Sequence, residues 1–112
     1  MQKILIDRFI VPKTSKEEFL ERVRINRSFI KTIPGFVSDS VYIREEEGNR
    51  FYFVTFAIWE SQEALETAKK AVLAEYQKQG FVLNAMSNRI GISFERGIFE
   101  EATSSKFQEV SA

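Results

Sequence analysis

The stretch Arg50-Phe-Tyr-Phe-Val-Thr-Phe-Ala-Ile-Trp59 is apolar on both of its faces. Side chains alternate along an extended strand, which puts Phe51, Phe53, Thr55, Ala57 and Trp59 on one side and Tyr52, Val54, Phe56 and Ile58 on the other. Such a strand has to be covered from both sides, and one layer of helices covers only one. The preceding segment, about Phe36 to Arg44, reads as its hairpin partner. Val37, Val41 and Ile43 fall on one side of that segment, and Phe36, Ser38, Ser40 and Tyr42 on the other. The Phe content makes the same demand, since 11 rings in 112 residues need packing partners.

The remaining elements arrange themselves around this pair. Ile4 to Val11 is a first strand, ended by Pro12, with Asp7 and Arg8 on opposite faces. Thr14 with Glu17, or Ser15 with Glu18, has capping-box spacing and predicts a helix to about Thr32, before Pro34-Gly35. Its inner stripe is Phe19, Val23, Asn26, Ile30 and Ile33, with Leu20 alongside; Asn26 is the polar member. Ser61 is the expected N-cap of a second helix whose stripe is Leu65, Ala68, Val72 and Tyr76, and Gly80 supplies the stop. Phe81 to Leu83 is expected to fold back under the sheet as a short turn or helical continuation, Asn84 to Arg89 to be a linker, and Ile90 to Phe99 to be the last strand. The order β-α-β-β-α-β is the ferredoxin-like plan: an α+β domain over residues 1–99, with a four-stranded antiparallel sheet and helices on one face. Residues 100–112 read as a polar tail. The uncovered sheet face would expose an apolar patch, and a symmetric homodimer pressing sheet against sheet is the simplest way to bury it.

Charge and missing residue types narrow the chemistry. Sixteen basic residues balance 16 acidic ones, so neither nucleic acid nor an anionic membrane is an expected partner. The absence of Cys removes thiolate chemistry, and the absence of His removes the commonest general base, metal ligand and haem ligand. No run approaches the roughly 20 apolar residues of a membrane-spanning helix, and the expected location is cytoplasmic.

The first strand with Pro12-Lys13, then Ile33-Pro34-Gly35-Phe36, then Arg50-Phe51 opening a strand that ends Trp59-Glu60-Ser61-Gln62-Glu63-Ala64-Leu65, together resemble the antibiotic biosynthesis monooxygenase (ABM) domain of the dimeric α+β barrel superfamily. The resemblance runs from about Lys3 to Phe99. It implies a homodimer with one ligand cavity per subunit, between sheet and helices. It also implies a range of activities, from cofactor-free oxygenases of phenols and quinols to haem-degrading enzymes and isomerases. The haem-degrading branch uses an Asn, a Trp and a His that would fall at Asp7, Ala68 and about Lys78, and none of the three matches.

A cofactor-free oxygenase needs a base or an anion-stabilising donor among aromatic walls, with no cofactor or metal, because the substrate supplies the electrons. Asp7, Asn26, Trp59 and Tyr76 are the candidate catalytic residues: Asp7 as base, Asn26 and Tyr76 as hydrogen-bond donors, Trp59 as wall or donor. Each also has a purely architectural reading, as an ion pair, a backbone-bonded amide, a corner tryptophan or a core tyrosine. Tyr42 and Tyr52 have no fixed facing, and Asn84, Asn88 and Arg89 could cap a pocket. The leading expectation is oxygenation of a small phenolic or quinol-like compound. A non-catalytic dimeric module that binds a small molecule, or a stress-associated one, is the alternative. An isomerase would need converging basic groups, for which Arg8, Arg27 and Arg89 are available.

Overall fold

A computed structural model describes residues 1–102 of the chain; most of the polar tail therefore lies outside the described residues. The strands are β1 (Lys3–Pro12), β2 (Phe36–Glu46), β3 (Arg50–Trp59) and β4 (Ser93–Phe99). The helices are α1 (Lys16–Ile30), α2 (Gln62–Gln79) and α3 (Leu83–Ile90). All strand pairs are antiparallel in the order β2-β3-β1-β4, the ferredoxin-like arrangement. Among the described residues no helix is long and apolar enough to cross a membrane.

The two faces of β3 behave differently. Phe51, Phe53 and Trp59 are buried beneath the helices, whereas Tyr52, Val54, Phe56 and Ile58 are only half-buried. The register places those four between Ile4, Ile6 and Ile10 of β1 on one flank and Ser38, Ser40 and Tyr42 of β2 on the other. One face of the sheet is therefore open and largely apolar in the single chain.

The other face holds the core in two pieces. Phe9, Val11, Phe19, Phe51 and Phe53 form one cluster, and Ile33, Trp59, Leu65 and Ala68 form the second. Between them the β1–β3 register pairs Asp7 with Thr55 and Leu5 with Ala57. Two polar side chains and an alanine cannot fill the middle of that face, and α2 above it contributes the small side chain of Ala68. The core is hollow there as a direct result.

Several local expectations need correction. Ser15 makes no side-chain cap; a single 3₁₀ turn, Lys13–Ser15, leads into α1 instead, and Lys16 N–H bonds the Lys13 carbonyl. Helix α1 stops at Ile30, two residues before Thr32, and Thr32 continues only as a turn. Val37 forms a bulge between Phe36 and Ser38, so Phe36 turns to the helix side, where its ring meets Trp59 edge-on at 5.6 Å. Residues 84–89 are not a linker but most of α3, ended by Gly91 in the left-handed region at φ 74°. The last strand accordingly begins at Ser93 rather than Ile90. Val82, expected under the sheet, is 61% exposed. Ser61 does cap α2, its Oγ accepting from Ala64 N–H at 3.0 Å.

Candidate functional site

The hollow is a cavity of about 410 Å³ between the sheet, α1 and α2. Its walls are mostly apolar: Leu5, Phe9, Val23, Phe29, Ile30, Val41, Ala57, Leu65 and Val72. Asp7, Asn26, Trp59 and Tyr76 all line it, drawn from β1, α1, β3 and α2. It meets solvent among four exposed lining residues, Lys69, Leu73, Gln79 and Arg96.

Asp7 faces the helices and is 8% exposed. Both of its carboxylate oxygens accept from Arg96, Oδ1 from Nε at 2.7 Å and Oδ2 from Nη2 at 2.9 Å. This fork ties β1 to its neighbour β4, where Asp7 and Arg96 are directly opposed. The hydrogen bond that Arg96 donates to Asp7 raises the Arg96 pKa above its ordinary value. The structure thus places Asp7 in an ion pair, and Arg96 is a cation that lines the cavity. Arg96 escaped the sequence reading, although it shares a strand face with Phe94 and Ile98 and a buried Asp7 demanded a partner.

The Asn26 amide bonds two side chains rather than a neighbouring backbone group. Its Nδ2 donates to Tyr76 Oη at 2.7 Å, and its Oδ1 accepts from Arg22 Nη2 at 3.0 Å. Burial is the main cause that pushes the Tyr76 pKa up, opposed by the charges of Arg22 and Arg96 and by the Asn26 hydrogen bond, and reinforced by Asp7. Tyr76 is thus a neutral phenol, able to donate.

Trp59 is 2% exposed, and its Nε1–H is buried with no hydrogen-bond partner. On the β2 side Arg27 Nε donates to Asp39 Oδ2 at 2.5 Å; both line the cavity, and the bond raises the Arg27 pKa. The other proposed basic residues lie elsewhere: Arg8 pairs with Glu95 on the open face, and Arg89 holds Glu18 through Nη2, 2.9 Å from each carboxylate oxygen. Tyr42 and Tyr52 belong to the open face, and Asn84 and Asn88 are exposed on α3. Among the described residues no group of three or more acidic side chains could hold a metal ion.

The sequence profile of the antibiotic biosynthesis monooxygenase family matches residues 4–77, more than half of the 112. The chain belongs to this family. SnoaB, a cofactor-independent oxygenase from Streptomyces nogalater, is 26% identical over 92% of this chain and 95% of its own, with a TM-score of 0.59. A dimeric ferredoxin-like protein from an uncultured marine organism matches at 12% identity, over 93% of this chain and 99% of that one, with a TM-score of 0.66. A Streptomyces coelicolor monooxygenase solved with nanaomycin D matches at 16% identity, over 91% and 88%, with a TM-score of 0.63. The last two likenesses establish the fold alone. No curated protein matches the chain. At the Trp59-Glu60-Ser61 corner Ser61 caps α2 and Trp59 lines the cavity.

Proposed function

We propose that this ABM-family protein is a homodimeric, cofactor-independent oxygenase of a small phenolic or quinol-like compound held in the 410 Å³ cavity. The observation that carries the reading is the Trp59 indole N–H, buried, unpartnered and set in an apolar wall. A buried donor without an acceptor costs roughly 1–3 kcal/mol, and a ligand oxygen would relieve it. The likeness to SnoaB, itself a cofactor-independent oxygenase, supports the same reading.

The residues suit a reaction in which the substrate provides the electrons. A ring hydroxyl loses its proton to solvent, and Arg96 and Tyr76 hold the resulting oxyanion in a space of low dielectric. The electron-rich ring passes one electron to O2, and the radical pair combines into a carbon–oxygen bond. Protonation gives a hydroperoxide at a carbon that still bears hydrogen. Loss of water from it leaves a carbonyl: one oxygen atom stays in the product and the other departs as water. Asp7 holds Arg96 in place throughout.

A non-catalytic binding module is the second reading. It is favoured by one observation, that the buried carboxylate in the cavity is already engaged by Arg96. Oxygen consumption with a panel of hydroxynaphthalenes separates the two. The oxygenase reading expects uptake matched by a quinone product, reduced tenfold or more in Trp59→Phe and in Arg96→Gln. Binding of the same compounds with no uptake from any of them leaves the module.

The open sheet face supports the homodimer. Phe56, Val54 and Ile58 are half-buried in the single chain, and Tyr42, packed edge-on against Phe56, is 59% exposed. A second copy related by a two-fold axis would cover this face with its own.

A further inference from the structure

Arg22 does not line the cavity, yet a directed chain of hydrogen bonds runs from it to one that does. Its Nη2 gives one hydrogen to Gln79 Oε1 at 2.6 Å and one to Asn26 Oδ1 at 3.0 Å. Gln79 Nε2 donates in turn to Glu75 at 2.9 Å, and Asn26 Nδ2 donates to Tyr76 Oη at 2.7 Å. The guanidinium carbon sits 3.7 Å from the centre of the Phe81 ring, and Phe81 meets Tyr76 edge-on at 5.0 Å. The Arg22 Nε is buried without a partner, so this placement is held against a desolvation penalty.

The polarity of the chain has one solution. A guanidinium can only donate, so the Asn26 oxygen must face Arg22 and its NH2 must face Tyr76. Tyr76 Oη is thereby an acceptor inside the protein, and its own hydrogen is left for the side on which the cavity lies. We propose that Arg22 is a positioning residue: by fixing the Asn26 amide it makes Tyr76 present its hydroxyl hydrogen to a ligand oxygen in the cavity. Without Arg22 the amide is free to turn over and take the Tyr76 hydrogen on Oδ1, which removes the donor from the ligand while leaving the ring in place. The ligand this selects is one with an anionic or carbonyl ring oxygen. This inference rests on the reading of the cavity as a ring-binding site. The groups that face Tyr76 are Arg22 and Asn26 from α1, Asp7 from β1 and Arg96 from β4; Gln79 and Glu75 lie on its own helix.

The probe is 4-nitro-1-naphthol, whose anion is coloured, titrated while bound to the full chain. Tyr76→Phe should raise the ionisation point of the bound probe by about one unit, roughly tenfold in its ionisation constant. Arg22→Met should do the same, whereas Arg22→Lys, still a pure donor, should stay near the wild type. In an Asn26→Leu background, where there is no amide to turn, Arg22→Met should have little further effect. Circular dichroism confirms that each variant is folded. A second readout needs no ligand: the side-chain amide signals of Asn26, resolved by nitrogen-correlated NMR, should shift in Arg22→Met as the amide loses its fixed partners and stay near their wild-type positions in Arg22→Lys. An unshifted probe in folded Arg22→Met, or an unaltered Asn26 amide signal, overturns the positioning role. Failure of the wild type to bind the probe, with the amide responding as expected, defeats the ring-binding reading alone.

Discussion

Trp59, Asn26 and Tyr76 were visible in the sequence because each interrupts or enlarges an apolar pattern whose period is known. What those residues touch was not visible. Asn26 takes its two partners from four residues before it and 50 residues after it. Asp7 takes its partner 89 residues away, on a short strand where Arg96 stands between Glu95 and Gly97. Side-chain pairs of that separation follow from register, which the alternation of a strand does not fix. The ionisation of Tyr76 gives a test at this scale. Burial raises its folded-state pKa above the ordinary 10.0, while the unfolded chain restores that value. The associated stability is therefore complete below about pH 10 and is lost as the pH rises through the folded value. Denaturant titrations across that range should show a falling unfolding free energy in the wild type and a shallower fall in Tyr76→Phe.

Elements were legible where a capping signal or a stop marked them. Helix α2 begins at Ser61 and ends at Gly80, which has φ 67°, as its residues demand. Helix α3 was missed because its N-cap, Val82, makes no side-chain bond and only eight residues follow. The bulge at Val37 was equally silent, since one extra residue in a strand leaves no mark on composition. The Pro34-Gly35 turn has a stronger consequence than a change of direction. Gly35 lies at φ 89°, and a Cβ there would stand 2.5 Å from the Ala64 Cβ in the first turn of α2. The turn therefore sets how closely β2 approaches α2, and Glu60 N–H seals it by donating to the Gly35 carbonyl at 2.9 Å. Gly35→Ala should lower the unfolding free energy by about 2 kcal/mol or more, from the left-handed backbone and the collision together. Urea denaturation measures it.

For the whole molecule, the apolar second face of β3 was the feature of the sequence that reached furthest. It implied a covered sheet, and the single chain leaves that sheet bare. The hollow in the core was not foreseen from the same alternation, because it arises where Asp7 meets Thr55 across two strands. If the open face is the contact between copies, Phe56→Glu should halve the native mass toward the 13.0 kDa of one chain while the far-ultraviolet circular dichroism persists. Native mass spectrometry reads that outcome directly, and an unchanged dimer would move the contact elsewhere, for instance to the exposed Phe94, Ile98 and Phe99 of β4.

The chain carries one tryptophan, and that indole forms part of the cavity wall. The indole is almost fully buried beside apolar walls, and no protein group accepts from its ring nitrogen. An aromatic guest arriving beside it acts in two ways at once, by quenching the excited ring and by offering its N–H an acceptor. The protein therefore has a built-in optical reporter of occupancy: a drop and shift in native fluorescence that needs no label and no turnover, and that can screen compounds before any reaction is known.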